Sequence, residues 1–178
     1  MHKQPYDSRV EHIEETANGA LRMRVLMVCT GYICRSPAAA AVFGHIASTM
    51  QLSDRVDADS CGLHSYHVGE SPDPRAMDVA KSRGIHIPAS PARQIQIADF
   101  STFDLIFAMD RGHLRELSRL CPTEYAHKLQ LFLDAGSNDG NVPDPYYGRT
   151  RDFEHALTLI EEGSGAWLTR IANNNLAD

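Results

Sequence analysis

The chain lacks any apolar run near the ~18 residues needed to cross a bilayer, so no membrane partner is expected. Its first twenty residues are polar and charged, without the apolar stretch of a secretory signal. Cysteine is scarce, with four residues at 29, 34, 61 and 121. None forms a C-x-x-C pair, which argues against a zinc ribbon or a dithiol redox motif. Reduced thiols in a cytoplasmic protein are the simplest reading. Basic charge is also short: 17 Lys and Arg face 23 Asp and Glu, for a formal net charge of -6. Phosphate-backbone binders are usually basic, so nucleic acid is not an expected partner, and an anionic ligand must be drawn by local charge. Nine histidines are scattered, and the nearest pair, His64 and His67, has no cysteine or carboxylate motif beside it. Neither a metal site nor a cofactor is expected.

What is present is the material of one ordinary domain. The 178 residues are 43% hydrophobic, enough to bury a proper core. Residues 1–21 read as a polar tail, in which Val10 and Ile13 could sit on a short helix, and residues 22–178 as the domain. Apolar runs predict strands over 24–29, 55–60, 103–109 and 128–132. Helical spacing predicts helices over 37–50, 73–84, 97–100 and 111–120, and a last one from 150, weakened by Gly163 and Gly165. Residues 61–71 and 134–148 read as loops. Alternating strands and helices imply an α/β fold: a single three-layer domain with a four-stranded parallel sheet flanked by helices. Ligands of such sheets bind beyond the carboxyl ends of the strands, and Cys29 and the Met109-Asp110 step lie at two such ends.

The richest segment is Cys29-Thr30-Gly31-Tyr32-Ile33-Cys34-Arg35-Ser36-Pro37, between a strand and a helix. Ser36 before Pro37 suits an N-cap followed by proline at the first helical position. Five residues separate Cys29 from Arg35, about the number whose amides can ring an anion. The helix N-terminus adds its own N–H groups, and Arg35 can grip two phosphate oxygens at once. The same positive field favours thiolate at Cys29, and Ser36 could donate to it. A thiolate facing a phosphate monoester can form a thiophosphate that water then hydrolyses. A free cysteine is more commonly just a buried core residue. Gly31 and the Arg35-Ser36-Pro37 helix start argue against that fate for Cys29.

This loop resembles the phosphate loop of the low-molecular-weight protein tyrosine phosphatases, Cys-x-Gly-Asn-x-Cys-Arg-Ser. The resemblance runs over about residues 24–172. It takes in Asp59-Ser60, Val68-Gly69, Ser71-Pro72-Asp73-Pro74-Arg75, Ala92-Arg93-Gln94, Met109-Asp110 and Asp144-Pro145-Tyr146-Tyr147. It implies a four-stranded parallel sheet with the phosphate loop after the first strand. It also implies Cys29 as nucleophile, Arg35 as phosphate clamp, and Asp144 as the general acid that protonates the leaving phenolate and later deprotonates water. On the residues alone, Asp144 is equally a turn aspartate. The amides of Thr30, Gly31, Tyr32, Ile33, Cys34, Arg35 and Ser36 would hold the phosphate or another tetrahedral oxyanion. Ser36, Ser60 and Ser90 would support the loop, and Tyr66, Tyr146 and Tyr147 would wall the cleft. Cys34 resembles the cysteine that pairs with the nucleophile on oxidation, and plain packing is its other reading. Isoleucine at 33, where phosphoarginine-hydrolysing relatives carry threonine, favours a phosphotyrosine protein as substrate.

Two positions depart from the family pattern. Tyr32 replaces an asparagine, and Ser90 replaces a histidine. A bulky residue strains a left-handed backbone, and tyrosine does not offer the amide's hydrogen bonds. Activity is therefore expected to be weakened, and asparagine at 32 should raise it. Two alternatives follow. One is a non-catalytic module that only binds phosphate or phosphotyrosine. The other is a thiol-dependent arsenate reductase, which would need further cysteines to relay a disulfide.

Overall fold

A computed structural model describes residues 14–15, 21–133, 138–174 and 176 of the chain. The sheet is built around strand β2 (Leu21–Cys29). A two-residue strand β1 (Glu14–Glu15) pairs antiparallel with its first residues, so part of the segment read as a tail joins the sheet. The helix suggested near Val10 lies outside the described residues. Helix α1 (Arg35–Thr49) follows, then β3 (Val56–Gly62), α2 (Pro74–Ser82), α3 (Ile97–Thr102) and β4 (Leu105–Ala108). After these come α4 (Arg111–Leu120), β5 (Leu129–Leu131) and α5 (Thr150–Ala172). The parallel strands lie in the order β3-β2-β4-β5, the four-stranded α/β sheet expected from the alternation of elements.

Val25, Leu26, Met27 and Val28 have no exposed surface. A parallel strand covered on both faces reads as a continuous apolar run for this reason. Its side chains alternate between two cores. Met23, Val25, Met27 and Cys29 join the cluster that includes Phe43, Ala80, Ile160 and Leu168 from α1, α2 and α5. Leu26 and Val28 join the one containing Phe100 of α3 and Leu117 of α4. Truncating Leu26, Met27, Ile160 or Leu168 to alanine should cost about 2–5 kcal/mol.

The order β3-β2-β4 means that the chain leaves β2 to one side and returns on the other. The carboxyl ends of β2 and β4 thus flank the point where the winding reverses, the place where ligands of such sheets bind. Among the described residues, no helix is long and apolar enough to cross a membrane.

Helix α2 has Asp73 as its N-cap, accepting from the Arg75 amide at 2.9 Å, with Pro74 at the first position. Helix α1 starts differently from the expectation. It begins at Arg35, two residues earlier than the pattern predicted, and Ser36 lies inside it rather than capping it. No side chain caps its first amides, because the loop before it aims them at a pocket.

Candidate active site

Residues 29–34 turn from the end of β2 into α1, and the carbonyls of Cys29, Thr30, Tyr32 and Ile33 face outward. The Cys29 oxygen accepts from the Leu63 amide (2.9 Å), that of Thr30 from His64 (2.9 Å), and that of Ile33 from Asp73 (2.7 Å). The Tyr32 oxygen accepts from the Ser36 hydroxyl at 3.4 Å. A planar trans peptide points its N–H opposite its C=O, so the amides of Thr30, Gly31, Ile33 and Cys34 turn the other way, inward. The free amides at the start of α1 add to this ring. Together they form a concave nest of donors suited to a tetrahedral anion.

Cys29 lies at the floor, 3% exposed, with its Sγ 3.1 Å from the Ser36 hydroxyl. Ser36 also reaches the Cys61 carbonyl at 3.1 Å, which ties the thiol to the end of β3. Gly62 makes that approach possible. A Cβ there would meet the backbone of Gly31 at 2.9 Å and of Tyr32 at 3.0 Å, so any other residue would push the loop away from β3.

The Arg35 guanidinium is buried. Its Nη1 donates to Asp110 Oδ2 at 2.8 Å and to the Val142 carbonyl at 3.0 Å. Its Nη2 reaches Asp144 Oδ2 at 3.0 Å and Thr30 Oγ1 at 3.4 Å. Asp110 caps α4 through the His113 amide (2.8 Å). Burial pushes its carboxyl up, but that amide and the Arg35 guanidinium outweigh it and hold the carboxyl below the usual range. Asp144 is half exposed on the opposite lip, with Oδ1 accepting from the Tyr146 amide at 3.1 Å.

A cleft of about 610 Å³, counted out to its mouth, opens over the loop. Its lining includes Cys29, Gly31, Ile33, Cys34, Arg35 and Asp144, with Tyr66, His67, Tyr146 and Tyr147 as walls. The structure therefore brings Cys29, Arg35, Asp144 and the three predicted wall tyrosines into one cleft. Burial raises the Cys34 thiol, reinforced by the carboxylates of Asp73 and Asp144, so Cys34 stays protonated beside Cys29.

Tyr32 and Ser90 depart from expectation. Tyr32 takes the left-handed conformation, φ 77°, but its side chain does not line the cleft. It is buried in the core at 5% exposure. Its hydroxyl donates to the Ser90 carbonyl at 3.4 Å and shares a hydrogen bond with the Ser60 side chain. The phenol thus links the loop to the backbone at Ser90 and to Ser60. Ser90 itself is exposed, so it supports the loop through its backbone and not through its hydroxyl.

Several contributors were not assigned from the sequence. Asp110 anchors Arg35, and His113 lies behind it, its Nε2 2.8 Å from Thr30 Oγ1. His67 presents its Cδ2 edge to Gly31, where an added Cβ would meet it at 2.8 Å. His64 and His67 also have carboxylate partners, Glu116 at 3.1 Å and Glu70 at 2.8 Å. Only Glu70 is a sequence neighbour of its partner, so local spacing could signal one pair and not the other.

Residues 24–176 match the family model described as low molecular weight phosphotyrosine protein phosphatase. The Streptomyces coelicolor low molecular weight protein-tyrosine-phosphatase is 43% identical over 153 residues, covering 83% of this chain and 93% of that protein. The Sus scrofa low molecular weight phosphotyrosine protein phosphatase is 42% identical over 151 residues, covering 83% and 94%. Among solved structures, an Entamoeba histolytica protein tyrosine phosphatase with Hepes in its active site superposes with a TM-score of 0.83. It is 36% identical and covers 86% of this chain and 99% of its own. Vibrio vulnificus Wzb in complex with benzylphosphonate gives a TM-score of 0.72 at 30% identity, covering 84% and 99%.

Proposed function

The chain belongs to the low molecular weight phosphotyrosine protein phosphatase family, and from that premise we propose that it hydrolyses protein phosphotyrosine through a phosphocysteine at Cys29. The observation that carries this reading is the outward turn of the loop carbonyls above the Cys29 sulfur. It leaves inward amides, beside Arg35, as donors for a tetrahedral group.

In the first step the Cys29 thiolate attacks phosphorus and the bond to the tyrosyl oxygen breaks. The departing phenolate takes a proton from Asp144. The Ser36 hydroxyl, 3.1 Å from the sulfur, stabilises the thiolate before attack by turning its one proton to it from the neighbouring carbonyls. In the second step water attacks phosphorus and gives its proton to Asp144. The P–S bond breaks, and inorganic phosphate and the thiolate are regenerated. The inward amides and the Arg35 fork meet the oxygens on which charge builds in both steps. Asp144 lines the cleft beside Arg35, 3.0 Å from its Nη2, and this position supports its reading as the acid.

Substrate selection follows from depth and walls. Ile33 adds apolar surface to the lining, and Tyr66, Tyr146 and Tyr147 line the sides. Tyr146 and Tyr147 meet edge to face with centroids 4.8 Å apart. An aryl ester fills such a slot and reaches the sulfur, whereas the shorter seryl and threonyl phosphates fall short. The Vibrio relative's ligand, benzylphosphonate, likewise joins a ring to a tetrahedral phosphorus. The four cysteines are free thiols, and a reducing cytoplasm would keep Cys29 in its working form. The reductase reading has little support. Cys61 is wholly buried, and of the three other cysteines only Cys34 lines the cleft.

Steady-state hydrolysis of a phosphotyrosine peptide and a phosphoarginine peptide tests the reading. Wild type should prefer the aryl ester, Cys29→Ser should abolish turnover, and Asp144→Ala should remove most of it. Full activity in Cys29→Ser would overturn the assignment.

A further inference from the structure

We propose that His113 is a positioning residue for the phosphate-binding arginine, closing a circuit of polar contacts through Thr30, Arg35 and Asp110 that fixes the guanidinium from behind. The inference rests on the assignment of Arg35 as the phosphate clamp.

Donor bookkeeping dictates the circuit. A guanidinium only donates. Arg35 Nη2 has two N–H groups: one goes to Asp144 Oδ2 at 3.0 Å, and the other lies 3.4 Å from Thr30 Oγ1 and 3.5 Å from His113 Nε2, which share it as acceptors. These two atoms are 2.8 Å apart, and one must donate to the other. Nε2 carries no proton if it accepts from Arg35, so the Thr30 hydroxyl donates to Nε2. The ring proton then sits on Nδ1. That atom has no partner in good hydrogen-bond geometry, yet it lies 3.3 Å from Asp110 Oδ2, the same oxygen that accepts from Arg35 Nη1 at 2.8 Å. The circuit runs Arg35 to Thr30 to His113 to Asp110 and back to Arg35. Each member restrains the next, and the ring is 4% exposed.

The circuit works only with a neutral imidazole. A second proton would set an N–H on Nε2 against the N–H of Arg35. Burial first, then the charges of Arg35 and His64, push the His113 pKa down to about 4, against the opposing pull of Asp110 and Asp144. The ring therefore stays neutral over the working range. Thr30 belongs to the phosphate loop, and Asp110 and His113 to the start of α4. The circuit thus couples the anion nest to the far side of the winding reversal.

The test uses the full chain. Inorganic phosphate binding is measured by calorimetry, and kcat and KM with a phosphotyrosine peptide, for wild type, His113→Ala, His113→Gln, Thr30→Val and the Thr30→Val/His113→Ala double variant. Removing one hydrogen bond to a charged group predicts roughly tenfold weaker phosphate binding and a matching fall in kcat/KM for His113→Ala. Thr30→Val, which is isosteric, should fall similarly, and the double variant should lose little more than either single change. Glutamine can accept at the Nε2 position without titrating. His113→Gln should recover most of the loss and keep the wild-type pH profile between pH 5 and 8. Imidazole ¹⁵N shifts of wild type should report a proton on Nδ1 and none on Nε2. Unaltered phosphate binding in His113→Ala, fully additive losses, no rescue by glutamine, or a proton found on Nε2 would each overturn the proposal. If wild type neither binds phosphate nor turns over, the assignment of Arg35 falls and takes this inference with it. If wild type does both and His113→Ala matches it, only this inference falls.

Discussion

Replacing Tyr32 sets two opposing effects against each other. The residue holds φ 77°, a conformation that costs a non-glycine residue about 1–2 kcal/mol. Asparagine tolerates it better, and on the sequence alone Tyr32→Asn relieves strain and raises turnover. The structure reverses the balance. The Tyr32 ring is 5% exposed within the main core, and truncating a buried aromatic costs about 3–5 kcal/mol. The hydroxyl, long at 3.4 Å to Ser90 but also bonded to Ser60, contributes about 0.5–1.5 kcal/mol. Tyr32→Phe keeps the ring and loses only that last amount. Tyr32→Asn gains about 1–2 kcal/mol from the backbone and loses more from packing and the hydroxyl together, a net destabilisation of roughly 1.5–5.5 kcal/mol. In a protein of this size each kcal/mol moves Tm by about 2–4 °C. Urea unfolding should therefore rank wild type above Tyr32→Phe and Tyr32→Phe above Tyr32→Asn. Turnover should not rise in Tyr32→Asn, because the loop loses the buried ring that anchors it. A Tyr32→Asn protein as stable as wild type, with a higher kcat, would show that strain outweighs burial here and refute the reasoning.

Three further outcomes are expected. The folded pKa of His113, about 4, lies below the unfolded value of about 6.5, so the folded state disfavours the proton. Its contribution is complete above pH 6.5 and lost as pH falls toward 4, on the order of 3 kcal/mol. Urea stability followed across that window should decline, and His113→Gln should flatten the decline; an equal slope in the variant would contradict it. Asp144→Asn should lower kcat for a phosphotyrosine peptide by roughly 10²–10⁴, and less for para-nitrophenyl phosphate, whose leaving group needs less protonation. Equal losses for the two esters would remove the acid role. Gly31→Ala places a methyl 2.8 Å from His67 Cδ2, an overpacking cost of about 1–3 kcal/mol. KM should rise, and adding His67→Ala should restore it. Failure of the second change to help would mean that the loop backbone, not His67, resists the methyl.

The strand, the loop and the following helix were legible because each signal is local. The apolar run before Cys29 and the spacing of Cys29 to Arg35 lie within a dozen residues. Boundaries were less legible. The start of α1 at Arg35 was missed because its first amides face the pocket instead of a capping side chain, so a Ser-Pro pair misled. Gly163 read as a weak point in the last helix. It is a contact point, where a Cβ would meet the Phe132 ring at 2.6 Å. The Arg35–Asp110 pair spans 75 residues and the Thr30–His113 contact 83, separations over which no periodicity carries information. Asp110 stood out as part of a motif without revealing that it holds the arginine.

By itself, the sequence determined the chemistry available: a sulfur, an arginine and a run of amides at a strand-to-helix turn, because those are consecutive in the chain. Only the tertiary structure decided how they are held. Order β3-β2-β4 brings the ends of distant strands together, so the anchors of Arg35 and the support of Tyr32 come from segments that meet only when the sheet has formed.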